Sequence, residues 1–236
     1  MAGERLLRIL SCLTDGLEPV PNSRRLCSVA AEVTTMDGAG ILLFDGEVLQ
    51  GELCSSDRVA GLLGDLHFSL GEGPGTDAHN SGAAILEPHL NDPAMSRWPA
   101  FAPPAVSAGV AAVFGFPVRL GAVRLGALYL YRLRHGPLEE EQYADATVMA
   151  DVAARAILGM QAGAALDTVA EEIMAESDFH FVVHQAAGMI SVQLDVTVAE
   201  ALVRLRARAY ADGRLVSELA TDVVERSTRF DGGDSS

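Results

Sequence analysis

The sequence predicts an α+β fold: one antiparallel sheet with helices on its faces, a long connecting helix, and a terminal bundle of three short helices. Three observations predict it. From Val110 to Arg132, apolar residues alternate along two strands that meet at Leu120-Gly121-Ala122. From Leu138 to about Glu176 the period becomes helical, with no Pro and only two Gly. From Phe179 to Phe230 three shorter amphipathic stretches follow, each with one apolar face.

Taken in order, Leu6 to Leu13 and Arg24 to Thr34 read as helices, the second with Leu26, Val29, Ala30 and Val33 on one face. Gly38 to Phe44 is an apolar strand, Asp45-Gly46 a hairpin turn, and Glu47 to Leu53 the returning strand. Val59 to Phe68 reads as a helix, Gly71 to Asp77 as a turn-rich loop, and Ala83 to Leu86 as a short strand. A short helix carrying Trp98 is expected over Asp92 to Phe101, closed by Pro103-Pro104. In the hairpin, Phe114, Phe116 and Val118 share one side, while Val123, Leu125, Ala127, Tyr129 and Tyr131 alternate on the other strand.

The order α-α-β-β-α-β-α-β-β-α implies one central antiparallel sheet, with a ligand pocket between the sheet and its covering loops. In the long helix, Met149, Val152, Ala153, Ala156, Ile157 and Met160 form a stripe rich in small residues. Such a stripe suits a dimer seam or signalling stalk, or simple packing on the sheet.

The terminal helices have explicit punctuation. The first runs from Phe179 to Leu194 with Val183, Ala186, Ala187, Ile190 and Leu194 on its apolar face. Thr197-Val198-Ala199-Glu200 is a capping box that opens the second, whose face is Val198, Ala201, Leu202, Leu205 and Ala209. Asp212-Gly213 stops it. The third, Leu215 to about Arg226, presents Leu215, Leu219, Val223 and Val224. Each is too short to be stable alone, so the three faces must pack together. Gly188 inside the first helix costs about 1 kcal/mol relative to Ala, which the close approach of another helix or of a nucleic-acid backbone would offset. The tail 231–236 is expected to be disordered.

A net charge of −15 argues against general attraction to nucleic acid. The charge is uneven, however. From Phe179 to Phe230, six Arg (204, 206, 208, 214, 226, 229) balance six acids (195, 200, 212, 218, 222, 225), so the rest of the chain carries the whole excess. No apolar run reaches the ~18 residues of a membrane span, and the N-terminus is amphipathic, unlike a signal peptide. The chain therefore reads as soluble and cytoplasmic, with no membrane partner.

Cys12, Cys27 and Cys54 are odd in number and widely spaced, which suggests neither a disulfide framework nor a zinc ribbon; they read as small buried hydrophobes. His67, His79 and His89 fall in the pocket-forming region without metal-ligand spacing and read as structural or surface residues. His180 and His184 are i, i+4 neighbours but lack a third ligand, so no metal site is expected. The glycine loop has neither phosphate-cradle spacing and reads as a turn.

Two resemblances emerge from these residues. Leu26 to Arg132 resembles a GAF domain, through the Gly38-Ala39-Gly40-Ile41-Leu42-Leu43 strand, the Gly71-Glu72-Gly73-Pro74-Gly75-Thr76-Asp77 loop, and the closing Gly115-Phe116-Pro117-Val118 and Gly126-Ala127-Leu128-Tyr129-Leu130-Tyr131 strands. The resemblance implies a sensor that takes a small molecule in its pocket; haem, bilins and cyclic nucleotides occur in the class, and this sequence names none. Some GAF-like proteins reduce methionine sulfoxide with loop cysteines. Here position 75, often Cys in those relatives, is Gly75, so no enzyme is expected.

The terminal segment resembles the ANTAR family of RNA-binding antiterminator domains. The match runs through Gln185-Ala186-Ala187-Gly188-Met189-Ile190, Glu200-Ala201-Leu202, Leu205-Arg206, Ala209, Leu215, Leu219-Ala220 and Val223-Val224. It implies a homodimer that binds stem-loops in leader transcripts and prevents terminator formation. Gln185, Ala187, Gly188, Arg204, Arg206, Arg208 and Arg214 are the implied RNA contacts. Arg204 and Arg208 lie one turn apart on one helix side, and guanidinium groups suit phosphate and loop bases. Ala187 stands where relatives commonly carry Lys or Thr, which removes one hydrogen-bond donor.

The organisation expected is a GAF-like sensor over 1–136, a connecting signalling helix over 137–178, and an ANTAR-like domain over 179–230. Three short helices also suit a DNA-binding helix-turn-helix regulator with a ligand-sensing domain. A ligand-regulated protein-interaction module is the third reading.

Overall fold

A computed structural model of the chain describes residues 2–14, 23–92, 97–163 and 178–230. The tail 231–236, residues 164–177 of the long helical pattern and residues 93–96 of the helix expected around Trp98 lie outside the described residues. The chain divides into two units, Met1–Val169 and Ala170–Ser236.

The first unit is built on five antiparallel strands in the order β2-β1-β5-β4-β3. These are β1 (Gly38–Asp45), β2 (Val48–Ser55), β3 (Ile85–Glu87), β4 (Ala112–Leu120) and β5 (Val123–Arg132). Two tight hairpins set the register. Asp45 pairs with Val48 across Gly46-Glu47, and Leu120 pairs with Val123 across Gly121-Ala122. Gly46 and Gly121 hold φ of 59° and 60°, a left-handed conformation that glycine enters without a Cβ penalty.

One sheet face is covered by α2 (Ser23–Thr34) and α6 (Glu140–Gly163). Leu26, Val29, Ala30 and Val33 meet Ile41, Phe114, Phe116, Val118, Leu128 and Leu130 in one core. All six residues of the α6 stripe, Met149, Val152, Ala153, Ala156, Ile157 and Met160, join that core. Over its described length the long helix therefore covers the sheet, which gives the stripe an occupant within its own unit. The amphipathic α1 (Ala2–Thr14) adds Ile9 and Leu13. Arg5 and Arg8 of α1 reach Asp145 of α6 at 2.5 and 2.6 Å.

The opposite face carries α3 (Arg58–Leu70) and α4 (Pro74–Ser81). The segment read as a turn-rich loop is half helix: only 71–73 form the turn, and α4 begins at Pro74. Proline at the first helical position loses no hydrogen bond and presets φ, so Gly73-Pro74 starts a helix here. The same physics corrects the next segment. Pro103 and Pro104 do not close a helix; they lie in the first turn of α5 (Ala102–Ser107), while 97–101 form bends and turns.

A further correction concerns the cysteines. Cys27 of α2 and Cys54 of β2 form a disulfide, and Cys12 is free. The two are 27 residues apart, and only the packing of α2 on the sheet brings them together.

In the second unit, α7 (Asp178–Leu194), α8 (Val198–Ala211) and α9 (Val216–Val224) bury Val183, Ala186, Ala187, Ile190, Ala201, Leu202, Leu205, Ala209, Leu219 and Val223. The Glu200 amide donates to Thr197 Oγ1 at 3.2 Å, the first arm of the expected cap. The Glu200 carboxylate accepts from Arg204 at 2.7 Å. Val198 is 49% exposed, unlike the rest of its expected face, because it is the first residue after the cap. Gly213, at φ 63°, follows α8.

Candidate functional site

The α3/α4 face of the sheet is lined by buried polar groups. Glu52 of β2 meets the Tyr129 hydroxyl, which also donates to Ala60 O at 2.8 Å. Burial raises the Glu52 carboxyl to about 8. At neutral pH it is therefore largely protonated, and its own O–H can supply the proton of the Tyr129 contact. Burial likewise raises Asp65 to about 7.

Glycine makes this contact possible. A Cβ at Gly40 would lie 2.1 Å from Tyr129 Oη, and one at Gly64 would lie 2.2 Å from Glu52 Oε1. The glycines in the β1 strand and α3 thus let two polar side chains fit under the helix. Asp57 caps α3 by accepting from Val59 N and Ala60 N at 2.8 and 3.0 Å, and also accepts from Tyr131 at 2.9 Å.

His67 is fully buried. Its Nδ1 donates to Leu63 O at 2.6 Å and its Nε2 accepts from Gly75 N at 3.0 Å, which specifies the neutral Nδ1–H tautomer. Burial lowers its pKa to about 4. His79 is also fully buried; its ring stacks on Phe44 at 3.9 Å and Nε2 donates to Gly46 O at 2.7 Å. His89 is exposed beside His135.

The glycine-rich segment also clasps the loop before α5. Glu72 accepts from Ala100 N and Phe101 N at 3.1 and 3.3 Å. Asp77 accepts from Arg97 and Trp98 Nε1 at 3.0 and 3.1 Å. Trp98, Phe101, Phe68 and Tyr129 are buried on the inner side of this clasp. The segment thus holds the covering loop over the face where a sensor pocket was expected. Among the described residues no group of three or more His, Cys, Asp or Glu is placed to hold a metal ion. The His180 side chain lies outside them.

In the second unit the candidate RNA contacts separate by environment. Arg204 pairs with Glu200 at 2.7 Å, Arg208 with Asp212 at 3.6 Å, and Arg214 with Asp222 at 2.8 Å. Arg206 is half-buried, and desolvation lowers its pKa. Ala187 is buried in the bundle and Gln185 is exposed. Gly188 does not serve close helix packing within the unit, since a Cβ there would meet nothing within 4 Å. It opens onto a groove of about 550 Å³ with Gln185, Met189, Val192 and Gln193, rimmed by Arg226 and Arg229. The last two were not singled out from sequence, where they read as ordinary surface charge.

No family model matches the chain, and no curated protein matches it. Solved structures do. The GAF domain of an Acinetobacter phosphoenolpyruvate-protein phosphotransferase matches at TM-score 0.50 and 15% identity, over 69% of this chain and 96% of that one. The GAF domain of the corresponding protein from Coxiella burnetii matches at TM-score 0.48 and 18% identity, over 70% and 97%. A type II free methionine-R-sulfoxide reductase from Thermoplasma acidophilum matches at TM-score 0.42 and 16% identity, over 57% and 88%. At these identities the likeness concerns the fold, and the first unit has the GAF fold. Among the described residues no helix is long and apolar enough to cross a membrane.

Proposed function

We propose that the chain is a signal-responsive, cytoplasmic transcription antiterminator. The GAF-fold unit senses a small molecule. The three-helix unit, acting as a homodimer, binds stem-loop leader RNA and keeps it from pairing into a terminator.

The observation that carries this reading is the pairing of a GAF-fold unit with a separate bundle in which Gln185 to Ile190, Ala201, Leu202 and the buried Leu205, Ala209, Leu219 and Val223 follow the order that resembles ANTAR domains. The buried polar face under α3 and α4 supports sensing, since a ligand that loosens the Glu72 and Asp77 clasp would change the packing of that face. Leu6, Leu7 and Leu10 form an exposed apolar strip on α1, which supports self-association. We assign no catalytic residue.

The charge of α9 disfavours the helix-turn-helix alternative. α8 and α9 are joined by a short turn containing Gly213, as that motif often has. The helix that would enter the major groove, α9, carries Glu218 and Asp222 with Glu225 at its end, and no base. Arg214, just before α9, pairs with Asp222 at 2.8 Å and lies 3.9 Å from Glu218, but one cation against three carboxylates still leaves this helix negative towards a phosphate backbone.

The test compares binding of the full chain to paired-stem-loop RNA, duplex DNA and scrambled RNA at one salt concentration. A clear preference for the stem-loops is expected. Equal binding to all three defeats the antiterminator reading, and a preference for duplex DNA replaces it.

A further inference from the structure

The arginines that resemble RNA contacts by sequence are largely neutralised by their own unit, whereas Arg226 and Arg229 are not. Glu200, Asp212 and Asp222 hold Arg204, Arg208 and Arg214. Arg226 and Arg229 are exposed and form no ion pair among the described residues. They stand at the rim of the α7 groove, whose lining among the described residues includes no carboxylate.

The wall of that groove suits a flat apolar ring. Gly188 contributes no side chain, Met189 a polarisable thioether, and Val192, at 85% exposure, an open aliphatic surface. Gln185 adds an amide that can both donate and accept. An apolar slot flanked by two amides, one of them held by Phe230 N, and two cations matches an unstacked base with a phosphate on either side.

The backbone at the rim is fixed by the end of α9, where a left-handed residue lets the next amide close a capping bond on the last turn. Arg226 follows α9 with φ 62°, a left-handed conformation that costs a non-glycine residue about 1–2 kcal/mol. Glycine or asparagine is the usual occupant of such a position. The chain then returns along α7. Ser227 N donates to Asp222 O at 2.8 Å, and Phe230 N donates to Gln193 Oε1 at 2.9 Å. Phe230 is buried, with the Arg208 guanidinium 5.3 Å from its ring centre. These contacts fix both arginine backbones beside the slot.

We propose that the α7 groove receives one unstacked base from the RNA loop, with Arg226 and Arg229 on its flanking phosphates. This rests on the RNA-binding reading above and moves its principal contact from the α8 arginines to the groove.

The test uses the full chain, a fluorescent stem-loop RNA and a salt series. Arg226→Gly together with Arg229→Ala should weaken binding roughly tenfold and flatten the log-affinity against log-salt slope by about 1.4–1.8, the value of two lost phosphate contacts. Arg226→Gly alone should weaken binding without lowering the melting temperature, because glycine accepts the left-handed backbone. Arg204→Ala with Arg208→Ala should change affinity less than the groove pair does. Loop RNA carrying 4-thiouridine should crosslink to the peptide containing Met189 and Val192.

Wild-type affinity in the groove pair overturns the proposal. So does crosslinking confined to α8, which leaves the RNA reading intact but places the contact elsewhere. A change in sedimenting mass caused by Arg229→Ala, with RNA affinity unchanged, assigns the groove to a second copy instead. If the wild type itself shows no preference for stem-loop RNA, the functional reading falls and the groove assignment falls with it.

Discussion

The Gly75 amide donates to His67 Nε2 at 3.0 Å, tying the start of α4 to the end of α3. The close approach explains the glycine at position 75. A Cβ at Gly75 would lie 2.7 Å from Leu42 Cδ1 and 3.2 Å from His67 Nε2. Gly75→Ala should therefore destabilise the first unit by about 1–3 kcal/mol through overpacking, read as a lower urea midpoint at unchanged slope.

His67 also sets an acid limit. Its folded pKa of about 4 lies below the ordinary 6.5, so the unfolded chain takes up its proton first. Stability should fall as pH drops from 6.5 towards 4. The downward slope of melting temperature over that window should be shallower in His67→Gln, although its packing loss lowers the whole curve.

Glu52 works in the opposite sense. Its folded pKa of about 8 lies above the ordinary 4.5, so the unfolded chain loses its proton first as pH rises. Its contribution to stability falls between pH 4.5 and 8 and is flat above. Glu52→Gln keeps a hydrogen-bonding side chain but cannot ionise. It should melt higher than wild type at pH 8, with the advantage shrinking towards pH 5 in a series of thermal melts.

The Cys27–Cys54 bond closes a long loop through α2, β1 and β2. Unfolded native protein should show one reactive thiol, Cys12, and three after reduction. Cys27→Ala with Cys54→Ala should cost about 2–4 kcal/mol, measured by chemical denaturation under non-reducing conditions. Three reactive thiols before reduction would sink this assignment.

Gly188 separates stability from binding. A Cβ there meets open space, and alanine favours a helix interior over glycine by about 1 kcal/mol. Gly188→Ala should raise the bundle's melting temperature while lowering affinity for stem-loop RNA, since the added methyl narrows the α7 groove. Circular dichroism melts and anisotropy titrations on the same preparation check both halves.

Local chemistry made the architecture legible in the sequence. The alternation of Phe114, Phe116 and Val118, the glycine at each hairpin, and the Thr197 cap are signals carried within a few residues, and the sheet and the helical unit follow from them. The start of α4 at Pro74 was equally local, but the surrounding glycines read more strongly as a turn. The site was less legible because its relationships are long-range. Glu52 meets Tyr129 across 77 residues, and Cys27 meets Cys54 across 27. Neither spacing carries a periodic signature. The charge balance of the last unit was visible, but not which arginines its acids would neutralise. By itself the sequence determined the long strands and the longer helices, though not the short α4 and α5, because backbone preference and side-chain period are local properties. Only the tertiary structure decided that Glu52 keeps its proton, that His67 is neutral, and that Arg226 and Arg229 border a groove. Desolvation and charge pairing depend on what the fold places beside each group.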